Sequence, residues 1–200
     1  MYPIYTTIVV VLEYNSKRTG ITRQLLICGE MGGKITIRTK GEDMNIRQWY
    51  ISKVLIKAAY RAKKITGLPA SIVASQATLE TGWLKFIPKD IDTGEISYNL
   101  FGIKAHTHPY IECMTHEYIR GVKVGVLAKF KKYKNYEESF IAYGKLILEN
   151  PRYKKAVAVK DDPREYIKEI WKAGFASDPN YVSKVIQIAE MCGYIPKIMA

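Results

Sequence analysis

At Asn45 the sequence changes period, and that change limits what the chain can fold into. Upstream, Tyr5 to Tyr14, Arg23 to Cys28 and Lys34 to Thr39 are short β-branched runs separated by Gly-containing turns, Gly32-Gly33 among them. Runs of this kind predict three strands. Downstream, Ile46, Trp49, Tyr50, Val54, Ala58 and Ile65 fall close to one helical face before Gly67. Asn45 with Gln48 supplies the capping pair that would start this helix. The expected organisation is a β-rich extension over residues 1–45 followed by a mainly helical domain over residues 46–200, an α+β chain that is mainly α. Three strands alone are marginal, so the extension reads as packing onto the domain. An accessory sheet that binds a partner surface is the other reading.

The chemistry concentrates between Leu68 and Lys104, LPASIVASQATLETGWLKFIPKDIDTGEISYNLFGIK, with Glu80 at the centre. Pro69 suits the first position of a helix, where its missing N–H costs nothing. That helix runs to about Glu80, and Gly82 is placed to close it as a left-handed cap. On a 3.6-residue period Val73, Gln76, Ala77 and Glu80 share a largely apolar face, so Glu80 points where the helix packs. Burial disfavours the charged form, and the last helical turn carries the negative end of the macrodipole. Both raise a carboxyl pKa, which is what a general acid needs. The plainer reading is a helix-end glutamate whose head reaches water.

Leu84 to Ser97 is a long loop rich in Pro, Asp and Gly, of the kind that is usually functional or mobile. Thr115–Ile119 and Val122–Phe130 then alternate on a two-residue period around Arg120-Gly121, a hairpin. Asp90, Asp92, Glu95, Glu112 and Glu117 are the carboxylates near enough in sequence to partner Glu80. The C-terminal third is a succession of short helices with legible starts at Asn135, Asn150-Pro151, Asp162-Pro163 and Asp178-Pro179. Gly174 and Gly193 sit where left-handed C-caps belong. Phe140, Tyr143 and Ile147, then Tyr166 and Ile170, then Val182, Val185, Ile186 and Ala189 give these helices apolar faces that would build a second cleft wall.

The net charge of +12, from 31 Lys+Arg against 19 Asp+Glu, implies an anionic partner: nucleic acid, a membrane surface or an anionic wall polymer. No nucleic-acid-binding motif supports the first. Cys28, Cys113 and Cys192 are odd in number and widely spaced, which predicts free, mostly buried thiols. His106, His108 and His116 match no strong zinc spacing, so no metal is expected. Ile8 to Leu12 is too short for a membrane span, and no basic segment or cleavage site surrounds it, so no secretion signal is expected.

SQATLETGW (Ser75 to Trp83) followed by SYNLFGIKA (Ser97 to Ala105) resembles the bacterial glucosaminidase family, glycoside hydrolase family 73, which includes flagellar rod-associated and autolysin-type peptidoglycan hydrolases. The likeness continues through Thr115 to Tyr118, AKFKKYKNYEES (Ala128 to Ser139), NPRYKKA (Asn150 to Ala156) and AGFASDPNYVSKV (Ala173 to Val185), covering about residues 46–195. It implies a lysozyme-like fold, with a helical lobe and the hairpin as a small β-lobe. It also implies an endo-β-N-acetylglucosaminidase that cleaves the β-1,4 bond on the reducing side of N-acetylglucosamine in peptidoglycan, without a cofactor and at the bacterial cell wall.

By the same resemblance Glu80 matches the acid, Glu117 the second carboxylate that serves as base or charge stabiliser, and Tyr181 a catalytic-site hydroxyl that would donate to the sugar or the attacking water. Trp83, Tyr98, Asn99, Phe101 and Tyr143 form the expected sugar-binding set. Flat aromatic faces with an amide among them suit N-acetylated rings. The same residues could instead be a mixed core cluster, and Tyr181 a packing ring with its hydroxyl in water. A route in which the substrate's own acetamido carbonyl attacks is also open. The family commonly has Gly after the Trp of its acid motif, where this chain has Leu84. Two alternatives stand beside this reading: cleavage after N-acetylmuramic acid, by hydrolysis or lytic transglycosylation, and a phage or tail-associated wall-binding assembly protein.

Overall fold

In a computed structural model of the chain, the described backbone covers residues 7–15, 22–30, 36–39, 42–119 and 122–197, and the described side chains cover 44–116, 122 and 124–197. The change of period at Asn45 is a physical joint. Asn45 Oδ1 accepts from the Gln48 amide at 2.9 Å, and Gln48 Oε1 accepts from the Asn45 amide at 3.1 Å. This capping box starts α1 (Ile46–Thr66), which ends on the left-handed Gly67. Ahead of it lies an antiparallel sheet in the order β1 (Thr7–Asn15), β2 (Thr22–Glu30), β3 (Thr36–Thr39), β4 (Glu42–Asn45). The fourth strand is one more than the sequence reading. It pairs Met44 with Ile37, and its polar sequence carries no β-branched run to reveal it.

The buried face of α1 is Ile51, Ser52, Leu55, Ala58, Ala59, Ala62 and Thr66. This corrects the sequence reading: of the predicted stripe Ala58 is buried, but Ile46, Tyr50 and Ile65 are exposed. Close helix approach explains the choice of face. Where α1 meets α3 (Tyr136–Glu149), a Cβ on Gly144 would fall 2.3 Å from Thr66 Cγ2, a spacing that only small residues permit.

The helix α2 (Ala70–Glu80) is the centre of the packing. Pro69 stands at its N-cap, one position earlier than expected, and residues Ile72 to Thr78 are all buried. Its buried hydroxyls return to the helix backbone: Ser75 to Ser71 O, Thr78 to Ala74 O and Thr81 to Ala77 O, at 2.8, 2.8 and 2.7 Å. An otherwise apolar helix can therefore bury them without orphaned donors. The hairpin β5 (Tyr110–Ile119) and β6 (Val122–Lys131) follows, longer than predicted at both outer ends. Asn135 caps α3, Asn150 caps a 3-10 turn (Pro151–Tyr153) leading into α4 (Lys154–Ala158), and Asp162 caps α5 (Pro163–Lys172), as expected. At Asp178 the side chain instead turns onto the Asn180 amide at 2.9 Å, and α6 (Tyr181–Met191) begins three residues on.

Met44 of β4 is buried against Ile188 and Cys192 of the α6 region. Cys192 is buried and Cys113 is half-buried, both as free thiols; Cys28 lies outside the described side chains. No described helix is long and apolar enough to cross a membrane.

Candidate active site

Glu80 is the last residue of α2, and the chain leaves the helix through an unusual turn. Gly82, Trp83 and Leu84 all take left-handed backbone angles, with φ of 51°, 60° and 58°. For a non-glycine residue that conformation costs about 1–2 kcal/mol, so it persists only where surroundings hold it. Here Trp83 N donates to Thr78 O at 2.9 Å, Leu84 N to Thr81 Oγ1 at 3.0 Å, and Arg47 Nη2 of α1 to Trp83 O at 3.0 Å. A Cβ on Gly82 would also lie 2.8 Å from the ring of the exposed Phe86, which would have to swing aside. Leu84, where the resembling family commonly has Gly, therefore occupies a conformation that Gly would hold at no steric cost.

The Glu80 carboxylate is the end of a hydrogen-bonded chain. Tyr181 Oη donates to Glu80 Oε1 at 2.9 Å. Gln76 Nε2 donates to Tyr181 Oη at 3.1 Å, and Tyr143 Oη donates to Gln76 Oε1 at 3.1 Å. Gln76, Tyr143 and Tyr181 are 0%, 1% and 3% exposed. Glu80 itself is reached by solvent, yet protein packed around its carboxyl removes enough hydration to raise its pKa, and the Tyr181 hydrogen bond opposes that rise. Burial, and then the Glu80 charge, push the Tyr181 hydroxyl far above its ordinary range. Tyr181 thus stays a donor near neutral pH.

Glu80 and Tyr181 open onto a cleft of about 410 Å³ whose other wall includes Phe175, Ala176, Ser177 and Lys184. The loop forming that wall is clamped from behind: Arg152 donates to the carbonyls of Ala173 and Gly174, and Trp171 Nε1 to Asp178 O at 3.0 Å. Phe175 is wedged between the rings of Tyr143 and Tyr181, 5.9 Å from each. Lys184 and Asp178 pair at 2.7 Å at the rim. A larger concavity of about 490 Å³ between Ile103, Lys131 and Leu146 contains neither Glu80 nor Tyr181.

The other predicted site residues separate into two groups. Trp83, Tyr98 and Phe101 are half-buried, with Tyr98 edge-on to Tyr136 at 5.2 Å and Phe101 stacked on Tyr143 at 4.1 Å. Two others correct the sequence reading. Asn99 is 1% exposed and its amide is committed to backbone, donating to Ile103 O at 2.8 Å and Lys131 O at 2.9 Å and accepting from Ile103 N at 3.0 Å. It ties the 97–104 segment to the hairpin base and offers nothing to a ligand. Tyr143 is walled in by Phe101, Phe140 and Phe175, so a sugar cannot reach it. Tyr181 differs from both of its sequence readings: the ring is buried and the hydroxyl donates to Glu80.

Glu117 lies on β5 opposite Val124, with its side chain outside the described residues. Of the rival carboxylates, Asp90 accepts from the amides of Asp92, Thr93 and Glu112, which holds its pKa low, and it fastens the 84–97 loop to β5. Glu95 pairs with Lys132 at 2.6 Å, and Glu112 with Lys129 at 3.6 Å. His108 stacks on Tyr110 at 4.0 Å, and among the described residues no three His, Cys, Asp or Glu side chains group as a metal site.

Sequence reasoning placed Gln76 on the Glu80 face without a role, and left the Phe175–Ser177 wall unassigned. A signal for Gln76 was available: an amide one helical turn before Glu80, on a face otherwise apolar, must find buried partners. Nothing in the sequence said which partners.

Comparison with known proteins draws on this same region. The family model for glucosaminidase, described as mannosyl-glycoprotein endo-beta-N-acetylglucosaminidase, matches residues 56–193. The chain is 38% identical over 143 residues to the peptidoglycan hydrolase FlgJ of Pseudomonas aeruginosa, covering 70% of this chain and 35% of that protein. It is 27% identical over 161 residues to the exo-glucosaminidase LytG of Bacillus subtilis, covering 78% of this chain and 55% of that one. Among solved structures, a C-terminally truncated glycoside hydrolase domain of Salmonella typhimurium FlgJ superposes with a TM-score of 0.62 at 32% identity, covering 74% of this chain and 99% of that domain. The chain thus spans only about a third of the length of its Pseudomonas relative. The mainly helical fold with a small hairpin lobe is the lysozyme-like fold that the sequence predicts.

Proposed function

The chain belongs to the glucosaminidase family of glycoside hydrolases, and from that premise we propose that it is an endo-β-N-acetylglucosaminidase cleaving the β-1,4 bond on the reducing side of N-acetylglucosamine in peptidoglycan. One observation carries the reading: a glutamate at a helix end whose pKa is raised by the protein packed around it, facing a cleft, with a buried tyrosine hydroxyl aimed at one of its oxygens.

In this reading Glu80 gives its proton to the glycosidic oxygen. Desolvation favours the protonated form before transfer. As the proton leaves, the Tyr181 hydrogen bond becomes charge-assisted and strengthens, so it lowers the energy of the state being formed more than that of the starting state. Glu117, assigned by the family resemblance, acts as base for the attacking water or as stabiliser of the positive charge that develops on the sugar. If the substrate's acetamido carbonyl attacks first, the proton still comes from Glu80. Trp83, Tyr98 and Phe101 offer the partly open aromatic faces against which sugar rings would rest. No step needs a cofactor. The basic surface would hold the enzyme on anionic wall polymers, an attraction that salt weakens. The site of action is the bacterial cell wall, and residues 1–45 serve as a packing extension, with Met44 at the seam.

The test is mass spectrometry of borohydride-reduced products from purified peptidoglycan treated with the protein and with Glu80→Gln. Reduced N-acetylglucosamine ends that disappear in the variant are expected. Muramic or anhydromuramic ends would move the cleaved bond to the other linkage. Product length separates the endo mode from an exo mode like the one named for the Bacillus relative.

A further inference from the structure

We infer that Gln76 is a positioning residue: its buried amide fixes the direction of the Tyr181 hydroxyl and so commits that hydroxyl's proton to Glu80. The inference rests on Glu80 being the acid, but its first test needs no activity.

Each hydroxyl along the chain of contacts has one proton to give. An amide NH2 can only donate, so Tyr181 Oη, which receives Gln76 Nε2 at 3.1 Å, must send its single proton to its other partner, Glu80 Oε1 at 2.9 Å. The amide orientation is set at its far end, where Tyr143 Oη donates to Gln76 Oε1 at 3.1 Å. A reversed amide would turn its oxygen toward Tyr181, draw that proton away from Glu80, and force Tyr143 to find another acceptor. Around Tyr143 stand the rings of Phe101, Phe140 and Phe175, and the buried Tyr166 hydroxyl beside it is the acceptor that a reversed amide would oblige it to use.

Every member of the relay except Glu80 is buried, so water cannot substitute for a lost partner. The arrangement also places each element: α3 carries Tyr143, α2 carries both Gln76 and Glu80 one turn apart, and α6 carries Tyr181. The remaining charged groups at the cleft, Asp178 and Lys184, neutralise each other at 2.7 Å. Direction therefore travels from the core outward and ends on the one solvent-reached carboxyl. A relay pointed this way favours the ionised carboxylate. Removing Gln76 should raise the Glu80 pKa while weakening the carboxylate that remains after proton transfer.

The test is a carbon-13 NMR titration of the Glu80 carboxyl in the full chain. Tyr181→Phe sets the value with the donor absent and is expected to titrate higher than wild type. Gln76→Met removes the donor that orients and polarises that hydroxyl and is expected to shift upward in the same direction, by less than Tyr181→Phe. The double variant should move no further than Tyr181→Phe alone, because both act through one hydroxyl. A wild-type titration in Gln76→Met, or additive shifts in the double variant, would overturn the inference and leave Gln76 as packing. Should Gln76→Met not fold, Tyr143→Phe removes the donor that orients the amide while keeping its ring. A smaller upward shift is expected there, and no shift would refute the orientation argument. On peptidoglycan, Gln76→Met should lower kcat with little change in KM and move the alkaline limb of the rate profile upward. A wild type that releases no sugar ends would sink the functional reading alone, since the titrations stand without it.

Discussion

Glu80 ends a helix in which residues 72–78 are all buried, whereas Glu117 lies on a two-stranded hairpin where Met114 and Leu127, facing each other across the strands, are 55% and 53% exposed. The Glu80 side is fixed by packing from α1, α2 and α6 and by a buried polar relay. Among the described residues the hairpin is tied to the body at its base only, by the buried Ile111 and Phe130 and by polar contacts that include Asp90 to the Glu112 amide at 3.1 Å, Ala105 N to Lys129 O at 2.9 Å and Lys131 N to Ile103 O at 2.9 Å. The difference teaches which part of the chemistry tolerates adjustment. A group whose proton affinity depends on desolvation needs an unyielding surround. A strand carboxylate in the role proposed for Glu117 can be brought into place when substrate binds.

Breaking the rigid side at its chemistry should have the largest effect. Glu80→Gln is expected to lower the release of reducing ends by about 1,000-fold, while circular dichroism shows an intact fold. Breaking the same side at its packing comes next. Gly144→Ala drives a methyl into Thr66 and should destabilise by about 1–3 kcal/mol, read as a lower midpoint in urea. Leu127→Thr on the hairpin should change stability by no more than about 0.5 kcal/mol. Equal losses for the two would mean that the hairpin is packed as tightly as the helical body.

The hairpin tie is the third test. Asp90→Ala should speed hydrogen exchange at the Thr93 and Glu112 amides and lower activity by up to about 100-fold through misplacement, with little change in thermal midpoint. A large fall in midpoint would mean that the hairpin is part of the packed body.

The smallest effect is a dependence of stability on pH. The folded pKa of Glu80 lies above its unfolded value of 4.5. The folded state therefore holds this proton more tightly, and the resulting stability is present in full below pH 4.5 and lost as pH rises through the folded value. Glu80→Gln stays neutral and keeps an acceptor for Tyr181, so it should match the wild type near pH 4 and melt slightly higher at pH 7. A variant that melts lower than wild type at pH 7 would show that the carboxylate is stabilised overall where it sits.

Local chemistry made much of this molecule legible. Asn45, Asn135, Asn150 and Asp162 cap helices because a short side-chain oxygen reaches the next free amides, and Gly67, Gly82, Gly174 and Gly193 turn left-handed because they lack a Cβ. These depend on a few neighbouring residues, so the sequence alone determined them, along with the hairpin and the place of Glu80 at the end of α2. Residues far apart in the chain decided the rest. Which stripe of α1 is buried depended on how closely Gly144 lets another helix approach. Asn99 and Tyr143 looked suited to a sugar until their partners, Lys131 and Gln76, closed over them. Gln76 acquired its place only when α6 brought Tyr181 from 105 positions away. An amide or a hydroxyl has no preferred partner written beside it. The partner, and with it the direction of the proton, is settled when packing excludes water and leaves one acceptor within reach.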